Sequence, residues 1–199
     1  VDELARQGAE VFLNISASPF NAGKRRARWE IFSRIARRYD APLVYANQVG
    51  GNDELLFDGS SIVFDKSGQT IFCAPAFEES GSLVTLQGSP CEMVLALGEE
   101  EEIARALILG LRDYVNKNGF RNVVLGLSGG IDSAICAALA VDALGEERLR
   151  AVMMPYRYTS EDSLKDAEDC ARALGCRYDI VPIFEPVEGF MHALAPLFE

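Results

Sequence analysis

Residues 122–133, NVVLGLSGGIDS, join an apolar run to a glycine-rich turn and then to the beginning of a helix. The apolar run predicts a buried strand over 122–127, and the glycines predict a loop over 128–132. A helix is predicted to follow over 133–144. A strand that passes through a tight turn directly into a helix is the building unit of α/β folds.

The same alternation continues on both sides of this unit. A helix is predicted before it over 103–117, and a strand (150–154), a helix (162–174) and another strand (178–183) are predicted after it. Strands that alternate with helices indicate a parallel, doubly wound, Rossmann-like sheet.

The glycine-rich turn has the composition of a phosphate site. Gly129 and Gly130 allow conformations closed to residues with a Cβ, so that backbone N–H groups can converge on an anion at the positive end of the helix. Ser128 and Ser133 can add hydroxyl donors. Asp132 would repel phosphate unless a divalent cation lay between them, so the turn indicates a Mg-nucleotide.

Other interpretations of this turn explain less of it. It is not a Walker A loop, because no Gly-Lys-Ser/Thr follows the glycines, and the glycine spacing does not fit a dinucleotide fingerprint. A plain structural turn capped by serine is the simplest alternative. A serine hydrolase is another, because Gly126-Leu127-Ser128-Gly129-Gly130 satisfies Gly-x-Ser-x-Gly, yet the one histidine, His192, is the only base available to it.

The first hundred residues begin with a different arrangement. A strand is predicted over 10–15, a loop over 16–23 and then a basic amphipathic helix that Pro42 ends. A strand over 43–48 completes a βαβ-like stretch. The arginines of this helix are predicted to form a solvated face rather than a nucleic-acid surface.

A mixed sheet is predicted next. The strands 61–64 and 69–74 flank a turn at 65–68 and resemble a hairpin, and 83–86 is predicted as a further strand. These mixed connections favour an α+β or layered sandwich region.

A domain boundary is predicted near 88–100. Gly98 precedes four acidic residues, Glu99 to Glu102, which suit the positive end of a helix dipole. We therefore divide the chain into domains 1–98 and 99–199, and expect neither to be complete.

Composition narrows the classes of function. The 199 residues are 49% hydrophobic and 25% charged, with a formal net charge of −11, which disfavours phosphate-backbone binding and thus a nucleic-acid partner. Apolar runs are too short to cross a bilayer and no signal segment opens the chain, so we expect a cytoplasmic protein without a membrane partner. The cysteines lack the spacing of zinc or redox sites and are predicted to be buried or inert thiols: Cys73, Cys91, Cys136, Cys170 and Cys176.

At the glycine-rich turn the sequence resembles the ATP-pyrophosphatases, whose Ser-Gly-Gly-x-Asp-Ser signature is matched in full by residues 128–133. The flanking stretches 113–120 and 154–160 are similar to those of glutamine-dependent NAD synthetases. The resemblance implies a metal ligand at Asp132 and an ATP site at Gly126, Leu127, Ser128, Gly129, Gly130, Ile131, Asp132, Ser133 and Met154.

The first domain is similar to the C-terminal half of nitrilase-type glutaminases, notably in residues 8–20, in Gly23-Lys24 and in 58–61. By this resemblance Ser18 and Lys24 bind glutamine. The glutaminase Glu, Lys and Cys would lie upstream of residue 1, so no catalytic residue is assigned in the chain. The implied fold is α/β: the C-terminal part of a nitrilase-like α-β-β-α sandwich, then the first half of a doubly wound parallel sheet of the adenine nucleotide alpha hydrolase type.

The implied function is ATP-driven amidation of nicotinic acid adenine dinucleotide (deamido-NAD) to NAD, with ammonia from glutamine. ATP, Mg²⁺, deamido-NAD and glutamine are then the small-molecule partners, and a homo-oligomer is expected. A nucleotide-binding remnant without activity and a serine hydrolase that uses Ser128 remain the alternatives.

Overall fold

A computed structural model describes residues 1–91 and 97–198 and divides the chain into two compact units, Val1–Tyr114 and Val115–Glu199. Part of the predicted boundary region, 92–96, lies outside the described residues, and the boundary at 98/99 stays a prediction. Within the described ranges, the helices lack the combination of length and apolar character that a membrane crossing requires.

The first unit is built on a four-stranded mixed sheet. After a short helix α1 (Asp2–Arg6), β1 (Phe12–Ser16) runs through α2 (Lys24–Tyr39) into β2 (Leu43–Asn47), which pairs with β1 in parallel. The predicted βαβ stretch is confirmed. α2 ends at Tyr39. Its C-cap residue, Asp40, adopts a left-handed conformation (φ 48°) and lies two residues before Pro42.

Two hairpins follow. β3 (Val49–Asn52) and β4 (Leu55–Asp58) form a separate antiparallel pair, and β5 (Ile62–Phe64) and β6 (Thr70–Cys73) complete the main sheet in the order β1-β2-β5-β6. The predicted hairpin around 65–68 is confirmed. The β3–β4 hairpin was missed, because a strand that contains two consecutive glycines has no β-sheet propensity to detect.

The core of this unit lies between α2 and the sheet. Phe12, Tyr45 and Phe64 are buried there, and the half-buried rings of Trp29 and Phe32 pack against them from α2. Phe32 stacks on Tyr45, with ring centroids 4.6 Å apart. The helix α3 (Glu99–Lys117) contributes Ala106 and Leu109 to a second cluster.

The second unit is a three-stranded parallel sheet in the order β7-β8-β9. Its elements are β7 (Val123–Gly126), α4 (Ile131–Leu144), β8 (Leu149–Met153), α5 (Glu161–Leu174), β9 (Arg177–Ile180) and α6 (Phe184–Leu194). The prediction of a parallel, Rossmann-like alternation of strands and helices is confirmed.

Three predictions of local structure were wrong. Residues 83–86 form no strand: Leu83 is fully exposed, and Gly88 N donates to Thr85 O in a turn that overlaps the end of this stretch. α3 begins at Glu99 rather than at 103, since the acidic run forms its first turn. α4 begins at Ile131 rather than at 133, since Gly130 serves as its N-cap.

Candidate functional site

The turn after β7 depends on one glycine. Gly129 has φ +80°, and a Cβ on it would lie 2.9 Å from Ser163 Cα, 3.0 Å from Ser163 C and closer still to Ser163 O. Gly130 does not use the freedom that glycine allows: its φ of −87° is open to any residue, and a Cβ there would meet only Ser128 Oγ at 3.5 Å. As the N-cap residue of α4 it is extended rather than left-handed.

Two serine hydroxyls close the turn on itself. Ser133 Oγ donates to Gly130 O at 2.9 Å, accepts from Ser128 N at 3.2 Å and lies 3.1 Å from Ser128 Oγ. The turn is therefore held in shape by its own side chains. Their predicted role as donors to phosphate stays a prediction.

The turn delivers its residues to the positive end of α4. The first N–H groups of a helix have no carbonyl partner within it, so the backbone at Ile131, Asp132 and Ser133 presents donors to an anion. Ile131 and Asp132 are exposed. The geometry suits a phosphate at this point.

Asp132 presents an exposed carboxylate at the start of α4. It lies in the first turn of α4, and within residues 1–91 and 97–198 its carboxylate forms no hydrogen bond or ion pair. No group of three or more His, Cys, Asp or Glu side chains in those ranges forms a metal cluster. A single carboxylate supplemented by phosphate oxygens and water is the donor set that Mg²⁺ commonly takes at nucleotide sites.

A cavity of about 360 Å³ lies at the carboxyl ends of β7 and β8, where open α/β sheets bind ligands. Gly126, Leu127, Ser128 and Met154 of the predicted ATP residues line it. Gly129, Gly130, Ile131, Asp132 and Ser133 do not. The remaining lining residues come from β8 and the approach to α5: Val152, Met153, Tyr158, Thr159, Ser160 and Ser163.

The side of the cavity next to α5 is set by helix capping. Ser160 is the N-cap of α5, and its Oγ accepts from Ser163 N at 3.1 Å. Thr159 Oγ1 accepts instead from Tyr156 N at 3.0 Å. Ser163 was not predicted to line the cavity. The spacing of Ser160 and Ser163, three residues apart at the start of a helix, is the sequence signal that indicates their contact.

An aromatic group lies directly before α5. The Arg157 guanidinium is 4.9 Å from the Tyr156 ring centroid and 5.7 Å from those of Tyr158 and Phe184. Arg157 also pairs with Glu188, and its hydrogen bond to the Tyr156 hydroxyl raises its pKa above the ordinary arginine value. These contacts connect the loop after β8 to α6 and fix the chain that carries Tyr158.

The surroundings of Ser128 do not favour a nucleophile. Its Oγ contacts Ser133 Oγ and accepts from Gly130 N at 3.4 Å, and neither group is a base. His192 lies exposed on α6. Ser128 also has no left-handed backbone conformation, whereas a nucleophile elbow holds its serine in a strained turn.

The predicted glutamine residues lie close together in the first unit. Ser18 N donates to Asn47 Oδ1 at 2.9 Å, and Lys24 Nζ reaches back to donate to Pro19 O at 2.9 Å. Both side chains are half-buried. We name residues 17–23, which connect β1 to α2, the β1–α2 loop.

The prediction that the α2 arginines form a solvated face was wrong for Arg25 and Arg28. Arg25 pairs with Glu102 at 3.5 Å, and Arg28 pairs with Asp58, with all four side chains at most 10% exposed. A charge is stable at such burial only when it is paired. No sequence pattern distinguishes these arginines from exposed ones such as Arg26, because the distinction depends on which acid the fold brings opposite.

All five cysteines are free, and two of them have a pKa raised by burial, Cys73 and Cys176. A raised pKa lowers the thiolate fraction and hence the reactivity of the sulfur. Cys91 and Cys136 are free and exposed, so burial does not apply to them, and that they are inert stays a prediction.

Comparison with known families divides the chain in two. Residues 1–92 match the family model described as carbon-nitrogen hydrolase, and residues 103–197 match the one described as NAD synthase.

Relatives match across both regions. A glutamine-dependent NAD(+) synthetase from Synechocystis sp. is 41% identical over 99% of this chain, and one from Rhodobacter capsulatus is 45% identical over 96%. The solved structure of a glutamine-dependent NAD+ synthetase from Acinetobacter baumannii in complex with adenosine diphosphate superposes with a TM-score of 0.92, at 41% identity over 99% of the chain. The chain spans 36%, 37% and 38%, respectively, of the lengths of these three proteins.

Proposed function

We propose that the full-length protein makes NAD by glutamine-dependent amidation of deamido-NAD, because residues 1–92 match the carbon-nitrogen hydrolase model and residues 103–197 match the NAD synthase model. This chain then supplies part of the glutamine site and the pyrophosphate-binding part of the ATP site. The relatives that match both regions are named glutamine-dependent NAD(+) synthetases, which supports the proposal.

The observation that carries the proposal is the turn 128–133 between β7 and α4. It joins helix-end N–H groups, a glycine with φ +80° and an exposed carboxylate next to the 360 Å³ cavity. The Acinetobacter baumannii relative holds ADP, which supports the assignment of this cavity to adenine nucleotide.

The chemistry that this site serves is activation of a carboxylate. ATP transfers its AMP moiety to the carboxylate of deamido-NAD, and pyrophosphate leaves. Ammonia then attacks the acyl carbon, the bond to AMP breaks, and the amide of NAD remains. The first step builds negative charge on the departing pyrophosphate, and donors that are already oriented stabilise it without reorganisation.

The residues of the turn divide this task. The N–H groups at the start of α4 bind the pyrophosphate oxygens, and Gly129 lets the backbone pass close to α5. Asp132 would hold Mg²⁺, which neutralises charge on pyrophosphate as it leaves. Met154 and Tyr158 line the cavity beyond the phosphates, where the rest of the nucleotide would lie.

Ammonia would come from glutamine held in the first unit. Ser18 lies in the loop before α2, and Lys24, the first residue of α2, donates to the carbonyl of Pro19 next to Ser18, which supports their assignment to the polar ends of that substrate.

The test measures adenylation directly in the full-length protein. Labelled pyrophosphate should exchange into ATP when deamido-NAD is present, since adenylation is reversible until ammonia arrives. Exchange should stop when deamido-NAD is omitted. A fluorophosphonate probe, which labels serine nucleophiles, should leave Ser128 unmodified. Labelling of Ser128 without pyrophosphate exchange would instead establish a serine hydrolase.

A further inference from the structure

Asn47, the last residue of β2, holds the β1–α2 loop through hydrogen bonds from its side chain to the backbone N–H and C=O of one loop residue, Ser18. Its Oδ1 accepts from Ser18 N at 2.9 Å, and its Nδ2 donates to Ser18 O at 3.4 Å. Because the amide satisfies a backbone donor and a backbone acceptor at once, it fixes the position and the orientation of Ser18. The loop itself has no helix or strand at this point.

The orientation of the Asn47 amide is in turn fixed by a buried charge. Asn47 Nδ2 also lies 3.4 Å from Asp58 Oδ1, and the Asp58 side chain is fully buried. A carboxylate only accepts hydrogen bonds, so it requires the nitrogen of the amide rather than the oxygen to face it. Asp58 therefore decides which end of the amide meets Ser18 N.

Asp58 is held from the opposite side by α2. Its Oδ2 pairs with Arg28 Nη2, and Arg28 Nη1 donates to the Tyr45 hydroxyl at 3.1 Å. The turn after Asp58 is equally constrained, because Gly59 has φ +61° and a Cβ there would overlap Val49 Cγ2. The chain of contacts thus runs from α2 through Arg28, Asp58 and Asn47 to Ser18.

The other loop contacts support the same arrangement. Phe20 N donates to Leu56 O of β4 at 2.6 Å, and Lys24 Nζ donates to Pro19 O at 2.9 Å. Since Lys24 begins α2, the helix that carries Arg28 also carries the second predicted glutamine residue.

A buried ion pair gives little net stability, because desolvation of both charges offsets their attraction. Its geometry, however, is specific. We propose that Asn47, oriented by Asp58 and Arg28, is a positioning residue that sets the place of Ser18 and hence the affinity for glutamine; this rests on the proposed role of Ser18.

The experiment compares two losses of part-buried side-chain hydrogen bonds in the full-length protein. Asn47→Ala removes the support of Ser18. Thr70→Val is the matched control: it removes the part-buried hydrogen bond from Trp29 Nε1 to Thr70 Oγ1 (2.8 Å), which anchors α2 but does not touch the loop. Asn47→Asp keeps the shape of the side chain and places a carboxylate against Asp58, so it tests the orientation without a cavity.

Each variant is assayed for NAD formation with glutamine and with ammonium chloride. We expect both Asn47 variants to raise the KM for glutamine about tenfold, as loss of one or two hydrogen bonds that hold the binding residue implies. kcat with glutamine should change less than about twofold, because no reacting group is removed. The ammonia-driven rate should be unchanged, and Thr70→Val should leave the glutamine KM at the wild-type value.

An unchanged glutamine KM in both Asn47 variants, or an equal rise in Thr70→Val, would show that Asn47 is merely structural. Either result would overturn this inference and leave the proposed function intact. If the unaltered protein used ammonia but not glutamine, the proposed role of Ser18 would fail, and the inference with it.

Discussion

Gly129→Ala should destabilise the second unit and abolish adenylation. Two separate causes contribute, the backbone conformation of Gly129 and its close approach to Ser163. The backbone at Gly129 has φ +80°, a conformation that costs a residue with a Cβ about 1–2 kcal/mol. The new methyl group would also lie within 3.0 Å of three backbone atoms of Ser163. Forcing a methyl group into packed backbone adds about 1–3 kcal/mol.

Gly119→Ala isolates the first of these contributions. Gly119 has φ +74°, close to that of Gly129, but nothing lies within 4 Å of the position of its Cβ. We therefore expect Gly119→Ala to lower the free energy of unfolding by the conformational cost alone, and Gly129→Ala to lower it by that cost plus the steric one. The difference between the two variants should be about 1–3 kcal/mol.

Native-state hydrogen exchange is the suitable assay in the full-length protein. Amides of β7 and β8 report the opening of the second unit separately from that of the first. A single melting curve does not distinguish the two units. Pyrophosphate exchange into ATP measures function in parallel and should be lost only in Gly129→Ala. Equal stability of the two variants, or full exchange activity in Gly129→Ala, would refute the argument that close approach to α5 requires glycine.

Three further predictions concern charge. Asp132→Ala should abolish ATP-dependent amidation and leave glutamine hydrolysis largely intact, measured as separate rates; normal NAD formation would remove Asp132 from the mechanism. Lys24→Ala should weaken the use of glutamine while free ammonia still supports synthesis, and an equal loss with ammonia would make Lys24 structural. The hydrogen bond from Arg150 lowers the pKa of Asp179, so this pair stabilises the fold above the ordinary aspartate pKa and loses that effect as pH falls through the lowered value. The free energy of opening of the second unit, measured from exchange of the β8 amides, should therefore be lower in Asp179→Asn than in the unaltered protein at neutral pH and equal to it in acid; a constant difference would contradict the linkage.

Much of the second unit was predictable because its signals are local. A run of apolar residues, a glycine-rich turn and an amphipathic helix each depend on neighbours in sequence, so the predicted alternation of strands and helices was correct. The resemblance at 128–133 located the turn that carries the proposed chemistry for the same reason. Boundaries shifted by two to four residues where capping decided them, as at the start of α4.

What only the tertiary structure decided are pairings between residues far apart in the chain. Arg25 and Arg28 belong to a helix in which other arginines are exposed, and their burial follows from Glu102 and Asp58 lying opposite. Asn47 has no local pattern that connects it to Ser18, 29 residues earlier. Likewise, the need for glycine at 129 arises from α5, which passes close to the turn. Composition and periodicity specify which elements form, whereas the partner that each polar group finds depends on how those elements pack, and that information is distributed over the whole fold.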